Sequence, residues 1–349
     1  MDWFEALTGF AEAEVGYPGV QARLRVEHGL LRSTAGGRAA AVGRLELPSL
    51  AELRVRVAQV APPPGALRVS AIAGDVRALH AAPAQRGALF QVASQFNLLE
   101  MVGPDVRPER GVTGYVHDRT QGPACALAAG AATIYRNYLV PVDGQPGQTA
   151  ARQLDTLAEV GTHLGARLGL PPGRLWQMRN GYALATAEGL AAAAAWLEAT
   201  AEADRDAVRA ALRVGVQWDV EVTDVPPPDA PRVSQVFCSA LPVAYGRHPP
   251  ARWAPLAQLV LEGAYEATLL VAALNAALNV GRGAAAQVLL TRLGGGVFGN
   301  AAEWIDAAIE RALAKAQAAG WGLDVRLVSF GAPCASTLGI VERARVRAT

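Results

Sequence analysis

Leu290-Thr291-Arg292-Leu293-Gly294-Gly295-Gly296-Val297-Phe298-Gly299-Asn300 is the stretch from which the fold is read, because it joins a strand-type run to a helix-type run through glycines. Ahead of it, Ala286-Gln287-Val288-Leu289-Leu290 is short and apolar; behind it, Ile305, Ile309, Ala312, Leu313 and Ala316 recur at helical spacing. Asn300 followed by Glu303 has the pattern of an N-cap with its capping-box partner. Glycines let backbone N–H groups approach an anion, and a helix N-terminus adds partial positive charge, so the join suits a diphosphate. By itself it suits equally well a tight turn that only needs glycine.

Working outward, strand-type and helix-type runs alternate along the 349 residues. Residues 20–26, 39–47 and 67–72 read as strands broken by turns at His28-Gly29 and Pro62-Pro63-Pro64, and the patterns at 216–222 and 233–243 are again of strand type. A long helix is expected over 253–278, with Leu256, Val260, Ala264, Ala267, Val271, Leu274 and Leu278 as its apolar stripe. Gly320 marks a helix stop before a last strand at 323–330. Between 149 and 214 the composition turns helical, with Leu154, Leu157, Val160, Leu164 and Leu168 in register. The expected division is a strand-rich N-terminal extension over 1–66, an α/β core over 67–148 and 215–349, and a helical insertion over 149–214.

With 51% hydrophobic residues the chain can bury a substantial core. Its formal net charge is +1 and Lys315 is its only lysine, so charge gives no indication of a nucleic-acid partner. Three distant cysteines, Cys125, Cys238 and Cys334, fit a reducing, cytoplasmic setting. The five histidines lack zinc-site spacing, so no metal or other cofactor is expected. The apolar runs are interrupted by Glu266, Asn275 and Asn279, and no membrane association is expected.

Ile72-Ala73-Gly74-Asp75-Val76, Leu89-Phe90-Gln91-Val92-Ala93-Ser94-Gln95-Phe96-Asn97 and the run 233–330 resemble, in their order, the macro domains, which are ADP-ribose-binding α/β modules. Ile72-Ala73-Gly74-Asp75-Val76 is similar to the Gly-Asp-Ile entry of that superfamily, and Leu89-Phe90-Gln91-Val92-Ala93-Ser94-Gln95-Phe96-Asn97 to its strand ending in Ala-Ala-Asn. Residues 233–330 resemble its run of strand, proline, helix, strand, phosphate loop, helix and strand. The resemblance is to a divergent member, distantly similar to the ADP-ribosyl hydrolases and poly(ADP-ribose) glycohydrolases. It implies a three-layer α/β/α sandwich with a mixed sheet. It also implies Asp75 and Val76 at the adenine, Asn97 at the distal ribose, and Gly294, Gly295, Gly296, Val297, Gly299 and Asn300 around the diphosphate. Phe298 would pack on the distal ribose and Phe330 would stack on adenine. The ligand implied is ADP-ribose, free or carried on an ADP-ribosylated protein or nucleic acid.

The chain departs from the superfamily after Asn97, where neither a triple-glycine first loop nor a Gln-Glu-Glu catalytic run is present. In their place stand Leu98-Leu99-Glu100-Met101 and, further on, Tyr115-Val116-His117-Asp118-Arg119-Thr120-Gln121-Gly122-Pro123-Ala124-Cys125. The candidate catalytic groups are therefore Asp118 and Glu100, carboxylates suited to positioning water or passing a proton, with Gln121 on a ribose hydroxyl or phosphate. Tyr135, Arg136, Asn137 and Tyr138 are expected to frame the ribose pocket. The sequence also leaves open a non-catalytic reader or sensor, and a cysteine-dependent amidase or transferase using Cys125 near His117.

Overall fold

A computed structural model describes residues 2–348; Met1 and Thr349, the ends of the expected first and last segments, lie outside it. Seven strands form one sheet: β1 (Arg44–Glu46), β2 (Arg68–Ala73), β3 (Leu89–Ala93), β4 (Gly215–Glu221), β5 (Arg232–Cys238), β6 (Gln287–Leu290) and β7 (Asp324–Ser329). Their order is β1-β4-β5-β3-β6-β7-β2. The two pairings at the β1 edge are antiparallel and the other four are parallel, which makes the sheet mixed. Because β5, β3, β6, β7 and β2 run the same way, their carboxyl ends share one edge, where ligands of open α/β sheets bind. Leu89 in β3 faces one side of the sheet and Phe90 and Val92 the other, the period of two that a strand covered on both faces requires.

The principal helices are α1 (Leu50–Ala58), α2 (Val76–Ala81), α3 (Gln121–Ala128), α4 (Ala158–Leu168), α5 (Ala187–Ala199), α6 (Glu202–Arg209), α7 (Pro250–Leu278), α8 (Ala302–Ala318) and α9 (Ala335–Ala348). Buried residues of α1, α5, α7, α8 and α9 pack with one face of the sheet, and those of α2 and α3 with the other. The architecture is a three-layer α/β/α sandwich. Helix α7 is 29 residues long and apolar enough to cross a membrane, but 89% of its most apolar window is buried in the protein, so it is the core helix of its layer. Each large apolar side chain it buries contributes about 1.5–3 kcal/mol. The polar residues that interrupt it are partnered: Glu266 meets Arg54, Arg311 and Lys315, and Asn275 donates to the carbonyls of Gly87 and Ala285.

The structure differs from the sequence expectation at both ends and in the insertion. Residues 1–66 include helices Trp3–Thr8, Glu12–Arg23 and α1, and β1 joins the main sheet; the short apolar spacing of α1 was masked by its β-branched valines. Residues 149–214 contain, besides helices, a hairpin of Trp176–Arg179 and Tyr182–Ala185, joined by Asn180 and Gly181 at positive φ. Strand β5 stops at Cys238, before the turn at Pro242, and helix α9 follows the expected last strand.

Candidate functional site

The loop between β6 and α8 takes its shape from two left-handed glycines, Gly294 at φ 70° and Gly299 at φ 71°. A Cβ on Gly294 would lie 2.6 Å from the Cβ of Ala240 and 2.5 Å from the Asn300 amide nitrogen, so only glycine fits there. Asn300 does not cap the following helix. Helix α8 starts at Ala302 with Ala301 before it and no side-chain cap, and the Asn300 amide instead donates to the Leu241 carbonyl at 2.8 Å. The burial of Asn300 turns its side chain inward as a fastener of the loop. Among the described residues the N–H groups of Gly296, Val297 and Phe298 have no acceptor within the protein. Successive free donors on one loop are a means of receiving an anion.

These three residues line a cavity of about 310 Å³ together with Glu100, Asp118 and Gln121. A second cavity of about 410 Å³ is lined by Asp75, Val76 and Phe330. Asp118, Thr120, Gln121 and Thr291 belong to both walls, so the two cavities form one cleft along the carboxyl ends of the strands. Its size suits a small ligand, for which sites run to roughly 300–1,000 Å³. Asp75 accepts the N–H of Arg77 and caps α2. Phe330 closes β7 with 85% of its surface exposed, an apolar ring left in water at the mouth of the cleft.

Several expected site residues stand elsewhere. Asn97 is fully buried, donates to Gln153 and accepts from the Leu99 N–H, and does not reach the cleft. Gly295 and Gly299 support the loop from outside the lining. Gln121 is on the wall, yet its amide is used by β3: Oε1 accepts the Ala93 N–H at 2.8 Å and Nε2 donates to the Gln91 carbonyl at 2.7 Å. Tyr138 and Asn137 are buried away from the cleft, and Arg136 turns to Glu100. Cys125 has no exposed surface, and burial pushes its thiol well above the ordinary range, so it offers no thiolate; this removes the cysteine-dependent reading. His80 is equally enclosed, stacked on Phe90, and burial lowers it to about 4.

Glu100 is the exceptional group. It is 2% exposed, lies on the cavity wall, and neither carboxylate oxygen has a hydrogen-bond partner. Arg136 is 3.5 Å away, too far for a good hydrogen bond, because its guanidinium is already held by the Leu98 carbonyl, Gln217 and Thr133 and stacked on Phe237. Burial raises the Glu100 carboxyl to about 7, against the opposing pull of Arg136. Its backbone N–H donates to the Tyr115 hydroxyl at 3.0 Å, which fixes the residue in place. Asp118 accepts the N–H and hydroxyl of Thr120, so the second carboxylate of the cleft is tied into a turn.

Two aromatic residues not expected at the site, Tyr182 and Tyr245, bring their rings to within 5.3 and 5.8 Å of Phe298 and 5.1 Å of one another. Tyr182 comes from the insertion and donates its hydroxyl to the Met101 carbonyl. The Asn180-Gly181 pair between two short β-type runs was the available signal, since that dipeptide favours a two-residue hairpin turn. Among the described residues no three His, Cys, Asp or Glu side chains converge as metal ligands would.

No protein-family model matches the chain, and no curated protein matches it. Among solved structures the chain is similar to poly(ADP-ribose) glycohydrolases. That of Thermomonospora curvata is 13% identical, with 97% of each chain covered and a TM-score of 0.42. That of Deinococcus radiodurans in complex with ADP-ribose is 14% identical over 87% of this chain and 94% of its own, with a TM-score of 0.43. The Thermomonospora curvata enzyme bound to the inhibitor ADP-HPD is 14% identical over 95% and 96%, with a TM-score of 0.43.

Proposed function

We propose that the chain binds ADP-ribose along this cleft and releases it by hydrolysis from a modified substrate, with Glu100 as the proton donor. The observation that carries the proposal is the Glu100 carboxyl: buried, without a hydrogen-bond partner, raised to about 7, and opposite a loop of free N–H donors. A carboxyl near neutrality is matched to general acid–base work. The diphosphate lies against the N–H groups of 296–298, the adenine between Asp75 and Phe330, and the distal ribose between Phe298 and Glu100. As the bond from the ribose anomeric carbon to the leaving atom breaks, its electron pair goes to that atom and Glu100 supplies the proton. Water then adds to the anomeric carbon, and its proton returns to the Glu100 carboxylate. Arg136 stabilises the transient carboxylate, and Asp118 orients the water.

The test is a calorimetric titration with ADP-ribose, joined to an assay of ADP-ribose released from modified protein. Binding together with release is expected. No heat and no thermal shift at millimolar ADP-ribose would overturn the binding half, and binding without release would make the chain a reader.

A further inference from the structure

The turn that carries Glu100 is one its own residues do not favour. Leu98 is left-handed at φ 63°, a backbone that leucine adopts at a cost, and its side chain is fully buried. It has little room to relax, since a Cβ on Gly215 would lie 2.5 Å from its Cδ1. Such a conformation persists where the surroundings over-determine it.

Much of that determination comes from the insertion. The Phe96 N–H donates to the Gly181 carbonyl, the Phe96 carbonyl accepts the N–H and the hydroxyl of Thr156, and the Met101 carbonyl accepts the Tyr182 hydroxyl. Asn97 is the inner end of a chain of amides. Its Oδ1 accepts the Leu99 N–H at 3.1 Å, closing the turn over Leu98, while its Nδ2 donates to Gln153 Oε1 at 2.8 Å. Gln153 Nε2 donates in turn to Asn180 Oδ1 at 3.0 Å, and Asn180 Nδ2 to the Pro104 carbonyl at 2.7 Å. The donors all point one way, so the orientation of each amide fixes the next. Gly181 lets the hairpin tip close on this chain, for a Cβ there would lie 2.5 Å from Asn97 Oδ1. Gln153 and Asn180 line a separate cavity and neither lines the cleft.

We propose that the insertion braces the catalytic turn, with Gln153 as a positioning residue that fixes the Asn97 amide and thereby keeps Leu98 left-handed and Glu100 enclosed. The inference rests on the reading of Glu100 as the proton donor given above. Without the Gln153 acceptor, the buried Asn97 amide has to turn to find another, which releases the Leu99 N–H next to Glu100. The turn then relaxes and water reaches the carboxyl. The charged and titratable groups around Glu100 are Arg136, the Tyr115 hydroxyl, the Cys125 thiol and Asp118, which lines the same cavity, and none belongs to the insertion. A change in the Glu100 proton on altering Gln153 therefore reports the backbone.

The experiment compares wild type with Gln153→Ala, Gln153→Glu and Asn180→Gly, all at partly exposed side chains. The Glu100 carboxyl is followed by carbon-13 NMR of glutamate-labelled protein, its resonance being the one that Glu100→Gln removes. In wild type it should titrate at about 7, and in Gln153→Ala it should move by about one pH unit or more toward the ordinary 4.5. Gln153→Glu keeps an acceptor for Asn97 and should hold the value at about 7 or above. Asn180→Gly keeps the left-handed backbone at φ 47° and removes only the outer amide, so it should shift the value in the same direction by less. In release of ADP-ribose from modified protein, kcat of Gln153→Ala should fall by about 10- to 100-fold with ADP-ribose affinity unchanged by calorimetry, and Gln153→Glu should restore most of it. A carboxyl that still titrates at about 7 in Gln153→Ala, or an affinity loss as large as the loss in kcat, would overturn the proposal. A wild type that neither binds nor releases ADP-ribose, with the NMR shift present, would overturn the reading of the cleft and support the brace.

Discussion

The two walls of the cleft are built from opposite materials. The wall at 294–300 is backbone: left-handed Gly294 and Gly299 shape the loop, and the N–H groups of 296–298 have no acceptor within the protein. The wall at 95–101 is side chain: Gln95 bonds to the backbone of Met101, Tyr182 covers the same carbonyl, and Glu100 is enclosed without a hydrogen-bond partner. A backbone site keeps its function through most side-chain changes that leave its dihedrals intact. A buried carboxylate loses its function with one substitution, because its chemistry depends on one proton in a dry environment.

The largest effect should follow from Glu100→Gln, which keeps shape and removes the proton. Turnover should fall by about 10²- to 10⁴-fold, with ADP-ribose affinity nearly unchanged. For wild type, the protonated acid is present below its folded value, so kcat should decline as pH rises through about 7. The stability consequence has the same sign. Folding raises this carboxyl from 4.5 to about 7, so its stabilising share is full below 4.5 and is lost as pH rises through about 7. Glu100→Gln should therefore gain in Tm relative to wild type between pH 5 and pH 8. A Tm difference that is flat with pH would show that Glu100 is not buried with a raised value, and the contrast between the walls would fail.

Two glycine substitutions separate the roles within the backbone wall. A Cβ at Gly296 meets nothing within 4 Å, so Gly296→Glu should fold normally while its carboxylate weakens ADP-ribose binding by about 100-fold. Gly294→Ala should do the reverse. Its left-handed backbone and the contact with Ala240 should cost about 1–3 kcal/mol in a denaturant titration, with affinity falling only as far as the loop shifts. If Gly296→Glu bound as wild type does, the loop would be a turn and not a cradle.

How much of this was legible in the sequence follows the same contrast. The glycine loop, the core strands and helix α7 were readable because their signals are local: φ-permissive residues, a period of two, an apolar stripe. Asp75 and Phe330 were placed by motif order, and they do share a cavity wall. Asn97, placed by the same motif order, lies buried outside the cleft, because an amide at a strand end satisfies itself wherever the chain supplies partners, and here Gln153 in the insertion supplies one 56 residues away. Asn300 failed as a cap for a related reason, since the turn at 239–242 offered it a buried carbonyl. Glu100 could be nominated from its apolar neighbours, but its pairing with Arg136 across 36 residues, and the bond of Tyr182 to the adjacent Met101 carbonyl across 81, depend on packing and leave no local pattern.

The smallest expected effect lies at the open end of the cleft. Phe330 is 85% exposed, so Phe330→Ala removes almost no buried area and should change stability by less than about 0.5 kcal/mol. Ring stacking on a base contributes roughly 1–3 kcal/mol, and an exposed ring that must be ordered on binding should return the low end of that range. ADP-ribose affinity should therefore fall about five- to tenfold, while ribose 5-phosphate, which carries no base, should bind the variant and wild type equally. A common loss for both ligands would mean that the ring acts on the loop as a whole. A loss confined to the base-bearing ligand would place the adenine over Phe330 and fix the direction in which the ligand runs, from the exposed end of β7 to the enclosed carboxyl of Glu100.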